Sequence, residues 1–73
     1  MKKAIYSKEQ KILISKLKKA REEAGLDQTQ AAQLLGTTQS YISKLESGQR
    51  RLDVIQLKEI AKIYKKKPVD LLP

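Results

Sequence analysis

Regularly spaced helix caps and glycines constrain the fold of this chain more than any other feature, because they divide it into short segments. Asp27 and Asp53 each lie three residues before a glutamine, which is the spacing of a capping box. Gly25, Gly36 and Gly48 each follow apolar residues at helical spacing, where a left-handed residue typically ends a helix. No alternating apolar pattern requires a strand. The sequence therefore predicts an all-α fold.

The predicted helices are five in number and are joined by very short connections. The first helix is expected to be capped by Ser7 and to end near Ala24. The second is expected at residues 28–35, and the third at residues 39–47 with Thr38 as its cap. A fourth helix follows the cap Asp53, and a last turn is expected at residues 68–72. The apolar positions expected to face the core are Leu13, Leu17, Ala20, Ala24, Ala31, Leu34, Leu35, Ile42, Leu45, Leu57, Ile60, Ala61 and Tyr64.

Composition narrows the possible functions. The 73 residues include 16 Lys or Arg against 8 Asp or Glu, and the net charge of +8 indicates a polyanionic partner. The sequence has no Cys and no His, so a disulfide, a metal site, a cofactor and an enzymatic activity are not expected. No apolar run approaches the roughly twenty residues of a membrane-spanning helix. A signal peptide is also not predicted, and we expect a soluble, cytoplasmic protein.

Residues 28–47 carry the clearest functional signal, because two short helices joined by a tight turn form a helix-turn-helix. In such a motif the second helix enters the major groove of DNA. The outward positions of that helix are uncharged or cationic: Gln39, Ser40, Ser43 and Lys44, with Tyr41 at the margin. Glutamine can pair with adenine, lysine can donate to guanine, and serine can do either. We therefore expect residues 1–6 to form an arm and residues 7–73 one helix-turn-helix domain.

The order of caps, glycines and apolar residues resembles the phage-repressor helix-turn-helix family (Cro-type, also called XRE). The resemblance covers roughly residues 13–72 and is carried by Gly25-Leu26-Asp27-Gln28, by Ala31-Ala32-x-Leu34-Leu35-Gly36, and by Thr37-Thr38-Gln39-Ser40-Tyr41-Ile42-Ser43-Lys44-Leu45-Glu46-Ser47-Gly48. It implies a compact five-helix lambda-repressor-like DNA-binding domain. The chain departs from the family pattern after the fourth helix, where Lys65-Lys66-Lys67 replaces a glycine and an apolar residue.

The resemblance also implies roles for individual residues. Gln39, Ser40 and Lys44 match the positions that reach bases. The residues that match contacts to the DNA backbone are Gln28, Thr38, Tyr41, Ser43, Gln49, Arg50 and Arg51. Arg21 and Glu46 match a partly buried ion pair that joins the first helix to the second helix of the motif, which in this family is termed the recognition helix. The plainer interpretation of the serines and Lys44 is a solvated helix surface.

The leading hypothesis is a sequence-specific regulator of transcription, a repressor that binds double-stranded DNA as a homodimer on a near-palindromic operator. An antitoxin-like module that binds a protein partner through its lysine-rich first helix and the Ile5-Tyr6 arm, and that also binds DNA, is the alternative. A basic helix on a membrane surface is a weaker interpretation, because the first helix has no Trp or Phe and its apolar face is needed by the core.

Overall fold

The structure is a computed structural model that describes residues 8–73. Over this range it contains only helices, which are α1 Lys8–Glu23, α2 Gln28–Leu35, α3 Gln39–Glu46, α4 Val54–Ile63 and α5 Pro68–Leu71. The predicted all-α, five-helix fold is confirmed. The bounds of α2 agree with the sequence prediction, and α1, α3 and α5 each end one residue earlier than expected. The predicted cap at Ser7 and the predicted arm at residues 1–6 lie outside the described residues.

Side-chain caps determine where the short helices begin. The carboxylate of Asp27 accepts a hydrogen bond from the Gln30 backbone N–H at 2.7 Å, and the Gln30 side chain accepts one from the Asp27 N–H at 2.9 Å. Asp53 and Gln56 repeat this arrangement at 2.7 and 3.1 Å. The hydroxyl of Thr38 caps α3 at 3.1 Å. Each cap satisfies backbone donors that a helix start leaves unpaired, so the connections can be short.

The core lies where the inner faces of the five helices meet. Its buried apolar side chains are Leu17, Ala20, Ala31, Ala32, Ile42, Leu45, Leu57, Ile60, Ala61, Tyr64 and Leu71. The prediction for Leu34 is wrong, because 57% of this residue is exposed. The buried residues of α2 are Ala31 and Ala32. At roughly 3.6 residues per turn, Leu34 lies about 110° around the helix from the midpoint between them, on the side away from Ala32.

Gly48 lies at the point where the chain leaves α3 and passes α1. Its φ is +83°, and a Cβ atom built there would be 3.1 Å from the Cδ1 of Ile14. We expect Gly48→Ala to lower the free energy of unfolding by about 1–3 kcal/mol, because backbone strain and a close contact act together. Gly36→Ala is the matched control, since Gly36 has φ +71° but a Cβ atom built at that position would have no atom of the surrounding structure within 4 Å.

Chemical denaturation of the two alanine variants separates the steric contribution from the backbone contribution. Gly48→Ala should lose more stability than Gly36→Ala, and Ile14→Val in the Gly48→Ala background should recover part of the difference by removing Cδ1. Equal losses in the two alanine variants would contradict a steric role for Ile14.

The lysine run after α4 forms the turn for which a glycine is usual. Lys65 has φ +59°, and among the described residues it is the one non-glycine with a positive φ. The N–H of Lys66 donates to the Ala61 carbonyl at 2.8 Å, and that of Lys65 donates to Lys62 at 3.1 Å. This is the hydrogen-bond pattern of a Schellman motif. The departure from the family pattern therefore preserves the left-handed turn, with a side chain at a position that favours glycine.

Lys65→Gly should raise the free energy of unfolding by about 0.5–1 kcal/mol, because glycine adopts positive φ without the steric penalty of a Cβ. Lys62→Gly is the control, since it places glycine at an exposed position inside α4 and should lower stability by about 1 kcal/mol. Urea midpoints of both variants provide the measurement. A loss of stability in Lys65→Gly would show that the lysine side chain contributes more than its backbone strain costs.

Candidate nucleic-acid interface

The unit formed by α2 and α3 places one face of α3 in solvent. The N–H of Thr37 donates to the Ala32 carbonyl at 2.9 Å, which closes α2 and sets the short turn before α3. Ile42 and Leu45, on the inner face of α3, are 1% and 4% exposed. Because both inner positions are fixed in the core, the opposite face of α3 has a defined direction relative to the rest of the protein.

The three predicted base-reading residues are exposed on α3. Gln39 begins the helix, and Ser40 and Lys44 lie one turn apart on the same side. Together they span an arc of about 140° of the helix. The arc combines an amide, a hydroxyl and an ammonium group, which can both donate to and accept from the edges of base pairs.

Tyr41 connects α3 to the loop and helix that follow. Its phenol oxygen accepts a hydrogen bond from Nε2 of Gln56 at 2.7 Å, and the guanidinium of Arg50 lies 4.8 Å from the centre of its ring. The latter distance is within the range of a cation–π contact. Of the other predicted backbone contacts, Thr38 uses its hydroxyl as the cap of α3, and Ser43 is half-buried.

The loop after α3 carries exposed cations beside that helix. The backbone N–H of Gln49 donates to the Lys44 carbonyl at 2.8 Å, and its side chain donates to the Ser47 hydroxyl at 3.0 Å. Arg50 and Arg51 follow and are both exposed. Their two guanidinium groups place positive charge beside α3, and such charge attracts the phosphates of a nucleic-acid backbone.

Arg21 and Glu46 form an ion pair between α1 and the end of α3. Nε of Arg21 lies 2.7 Å from Oε2 of Glu46, and Nη2 donates to Oε1 at 3.0 Å. The two side chains are 9% and 6% exposed. A third guanidinium nitrogen, Nη1, donates to the Leu26 carbonyl at 2.8 Å. The hydrogen bond to Glu46 raises the pKa of Arg21, and the pair joins α1 to α3.

The structure also brings together residues whose contacts the sequence analysis does not predict. Gln28 donates from Nε2 to Oε1 of Glu46 at 3.1 Å, and it accepts a hydrogen bond from Nε2 of Gln39 at 2.6 Å. Gln56 combines its contact to Tyr41 with the capping of α4. In the sequence, Gln56 and Gln30 each follow an aspartate by three residues, so the two glutamines look alike there. Only the tertiary structure, which brings Gln56 to Tyr41, reveals the second contact of Gln56.

Tyr64 lies in the core and is 3% exposed. Burial, followed by the charge of Glu46, raises its pKa from 10.0 to about 12. Above pH ~10 the unfolded chain would lose this proton while the folded chain retains it. Stability from this group is thus fully present below pH ~10, and it should fall by about 1.4 kcal/mol per pH unit until pH ~12.

Urea unfolding at several alkaline pH values tests this titration. Tyr64→Phe serves as the control because it lacks the ionisable hydroxyl, and its stability should fall less steeply between pH ~10 and ~12. Identical pH profiles for the two proteins would show that Tyr64 ionises normally in the folded state.

The two short helices α2 and α3 and the tight turn between them form a helix-turn-helix, the motif that gives the class of helix-turn-helix DNA-binding proteins its name. A family model described as helix-turn-helix matches residues 17–71. The chain belongs to this family and is of the phage-repressor, or XRE, type.

One of the similar solved structures agrees with this family by name. The chain is similar to an XRE-family like protein from Pseudomonas syringae pv. tomato str. DC3000, with 36% identity and a TM-score of 0.83, over 94% of this chain and 84% of that one. It is also similar to FeII HppE (29% identity, TM-score 0.82, 89% of this chain) and to FeII HppE in complex with substrate form 1 (31%, 0.78, 84%). The chain covers only 35% and 36% of those two chains. No curated protein matches the chain.

Within residues 8–73 no helix has the length and apolar character to cross a bilayer. Over the same range, acidic residues do not form a cluster that could hold a metal ion.

Proposed function

We propose that this protein is a sequence-specific regulator of transcription that binds double-stranded DNA, acts as a repressor and has no enzymatic activity of its own. The observation that carries the proposal is the exposed arc of Gln39, Ser40 and Lys44 on a helix whose opposite face is buried. An α-helix with its side chains is about 10–12 Å in diameter, so α3 fits the major groove, which is about 12 Å wide.

The contacts divide into two groups in this proposal. Gln39, Ser40 and Lys44 read base edges, and the flanking residues bind the phosphate backbone. At the N-terminus of α2 the Asp27 side chain binds the N–H of Gln30, which leaves the N–H groups of Gln28 and Thr29 to donate to a phosphate. Arg50 and Arg51 bind the backbone beside α3 and supply the sequence-independent part of the affinity.

A homodimer on a near-palindromic operator is the proposed assembly. Half-sites read by such dimers are separated by one helical turn, about 34 Å. The longest dimension of the described chain is 34 Å. Two copies that lie with this dimension along the duplex axis would each reach one major groove while remaining in contact with each other.

Equilibrium binding over a range of salt concentrations tests the proposal. The affinity for a selected duplex and that for a random duplex should both fall linearly on logarithmic axes as salt rises, and the selected duplex should still be bound at salt concentrations where the random duplex is not. Equal affinity for the two duplexes at every salt concentration would contradict sequence-specific binding. A stable complex with a second protein, together with equal affinities, would favour the antitoxin-like module.

A further inference from the structure

We propose that Gln56 is a positioning residue for DNA binding, which turns the phenol O–H of Tyr41 outward so that Tyr41 and Arg50 together bind one backbone phosphate. This inference rests on the proposed function. It goes further in two respects, because it gives a role in DNA binding to a residue of α4 that need not touch DNA, and because it names the atom through which Tyr41 contacts the backbone.

The side-chain amide of Gln56 forms a hydrogen bond at each of its two ends. Its Oε1 accepts from the backbone N–H of Asp53 at 3.1 Å, which is one half of the capping box of α4. Its Nε2 donates to the phenol oxygen of Tyr41 at 2.7 Å. Gln56 therefore links the cap of α4 to the third residue of α3.

The capping box fixes the direction of the hydrogen bond to Tyr41. A backbone N–H can only donate, so the carbonyl oxygen of Gln56 faces Asp53 and its NH2 group faces Tyr41. The opposite orientation of the amide would place two donors against each other at Asp53. Because the NH2 group only donates, the phenol oxygen must accept, and the phenol hydrogen points away from Gln56 toward another acceptor.

A cation lies over the ring of the same tyrosine. The guanidinium carbon of Arg50 is 4.8 Å from the centre of the Tyr41 ring, and Arg50 is exposed. The N–H groups of Arg50 and the O–H of Tyr41 are donors, so an acceptor that bridges them needs more than one oxygen. A phosphate supplies several acceptor oxygens together with the negative charge that a guanidinium binds most strongly. The two side chains thus form a site for one phosphate of the DNA backbone.

Gln56→Glu reverses the phenol hydrogen and keeps the cap of α4, since glutamate accepts from the N-cap N–H of a capping box as glutamine does. The second carboxylate oxygen only accepts, so Tyr41 must donate its O–H to it and present a lone pair to the phosphate. The substitution also adds a negative charge, which weakens DNA binding by itself. Gln30→Glu is the matched control, because it makes the same change in the capping box of α2.

A double-mutant cycle with Tyr41→Phe separates the effect of the hydroxyl from that of the added charge. Tyr41→Phe keeps the ring under Arg50 and should weaken binding to a selected duplex about tenfold, as expected for one hydrogen bond to a charged group. Gln56→Glu should cause a loss about tenfold larger in the wild-type background than in the Tyr41→Phe background. Gln30→Glu should cause the same loss in both. Urea midpoints of all variants ensure that the affinities are read from folded protein.

Single methylphosphonate substitutions in the selected duplex locate the phosphate, because each replaces one charged phosphate by a neutral group. The wild-type protein should lose affinity at every phosphate that it contacts. Tyr41→Phe and Arg50→Ala should both reduce this loss at one and the same phosphate, and Gln56→Glu should reduce it there too. Changes at two different phosphates for Tyr41→Phe and Arg50→Ala would overturn the shared site.

The outcomes separate this inference from the proposed function. If Gln56→Glu weakens binding equally with and without the Tyr41 hydroxyl, the positioning role of Gln56 is overturned, and a preference for the selected duplex still supports the proposed function. Unchanged affinity in Tyr41→Phe would likewise overturn the phosphate contact. If the cycle shows the expected coupling but selected and random duplexes bind equally, the phosphate site stands and sequence-specific regulation is wrong.

Discussion

Arg21→Met should lower the free energy of unfolding by about 3–5 kcal/mol, the largest stability change that we expect from one substitution in the described chain. The carboxylate of Glu46 is 6% exposed and receives two hydrogen bonds from Arg21. Removing the guanidinium leaves this charge in the protein interior, where neither water nor the single bond from Gln28 replaces the lost partner.

A double-mutant cycle distinguishes this loss from ordinary packing damage. Glu46→Leu should also destabilise the protein, since the Arg21 guanidinium then keeps only the Leu26 carbonyl as a partner. The double variant Arg21→Met/Glu46→Leu should recover most of the stability, because neither charge remains buried. Chemical denaturation of the four proteins gives the coupling free energy. Strictly additive losses would contradict the role of this ion pair as the connection between α1 and the recognition helix.

Substitutions at the DNA-contacting positions should separate specificity from affinity. Gln39→Ala or Lys44→Ala should reduce discrimination at one base pair by about 1–3 kcal/mol, which corresponds to roughly 5- to 150-fold, because the side chain that matches the base edge is lost. Arg50→Ala should weaken binding to all duplexes alike. It should also reduce by about one the slope of the logarithm of the affinity against the logarithm of the salt concentration.

Competition between a selected and a random duplex measures both effects. Arg51→Ala provides a second backbone variant, in which the cation–π contact between Arg50 and Tyr41 is retained. Equal losses on the two duplexes for Gln39→Ala would contradict its assignment to base reading, and a change of base preference in Arg50→Ala would contradict its assignment to the backbone.

Helix starts could be predicted from the sequence because they depend on local chemistry. Asp27 and Asp53 each satisfy N–H groups within one turn of the chain, and the residues needed for this are close together in the sequence. Leu34 shows where the same reasoning fails. On a two-turn helix the apolar residues cover more of the circumference than the neighbouring helices can bury, and only packing decides which of them stay exposed.

The candidate site divides in the same way. The spacing of the apolar residues in α3 can be seen in the sequence, and it predicts that Gln39, Ser40 and Lys44 are exposed, as they are in the structure. The contacts of Gln28 to Glu46 and of Gln56 to Tyr41 join residues 18 and 15 positions apart. They depend on the angles between helices, so no local spacing predicts them. The positive φ of Lys65 likewise depends on the turn that ends α4 before α5. That turn outweighs the preference of a lysine for a negative φ.

Selection of bound duplexes from a random pool tests the central claim most directly. We expect enrichment of a two-fold symmetric site with half-sites about 34 Å apart, one helical turn, and with adenine at the base pair read by Gln39. The recovered site should lose its preference for that base pair when the selection is repeated with Gln39→Ala. A pool that shows no enrichment after selection would contradict the conclusion that α3 reads DNA sequence.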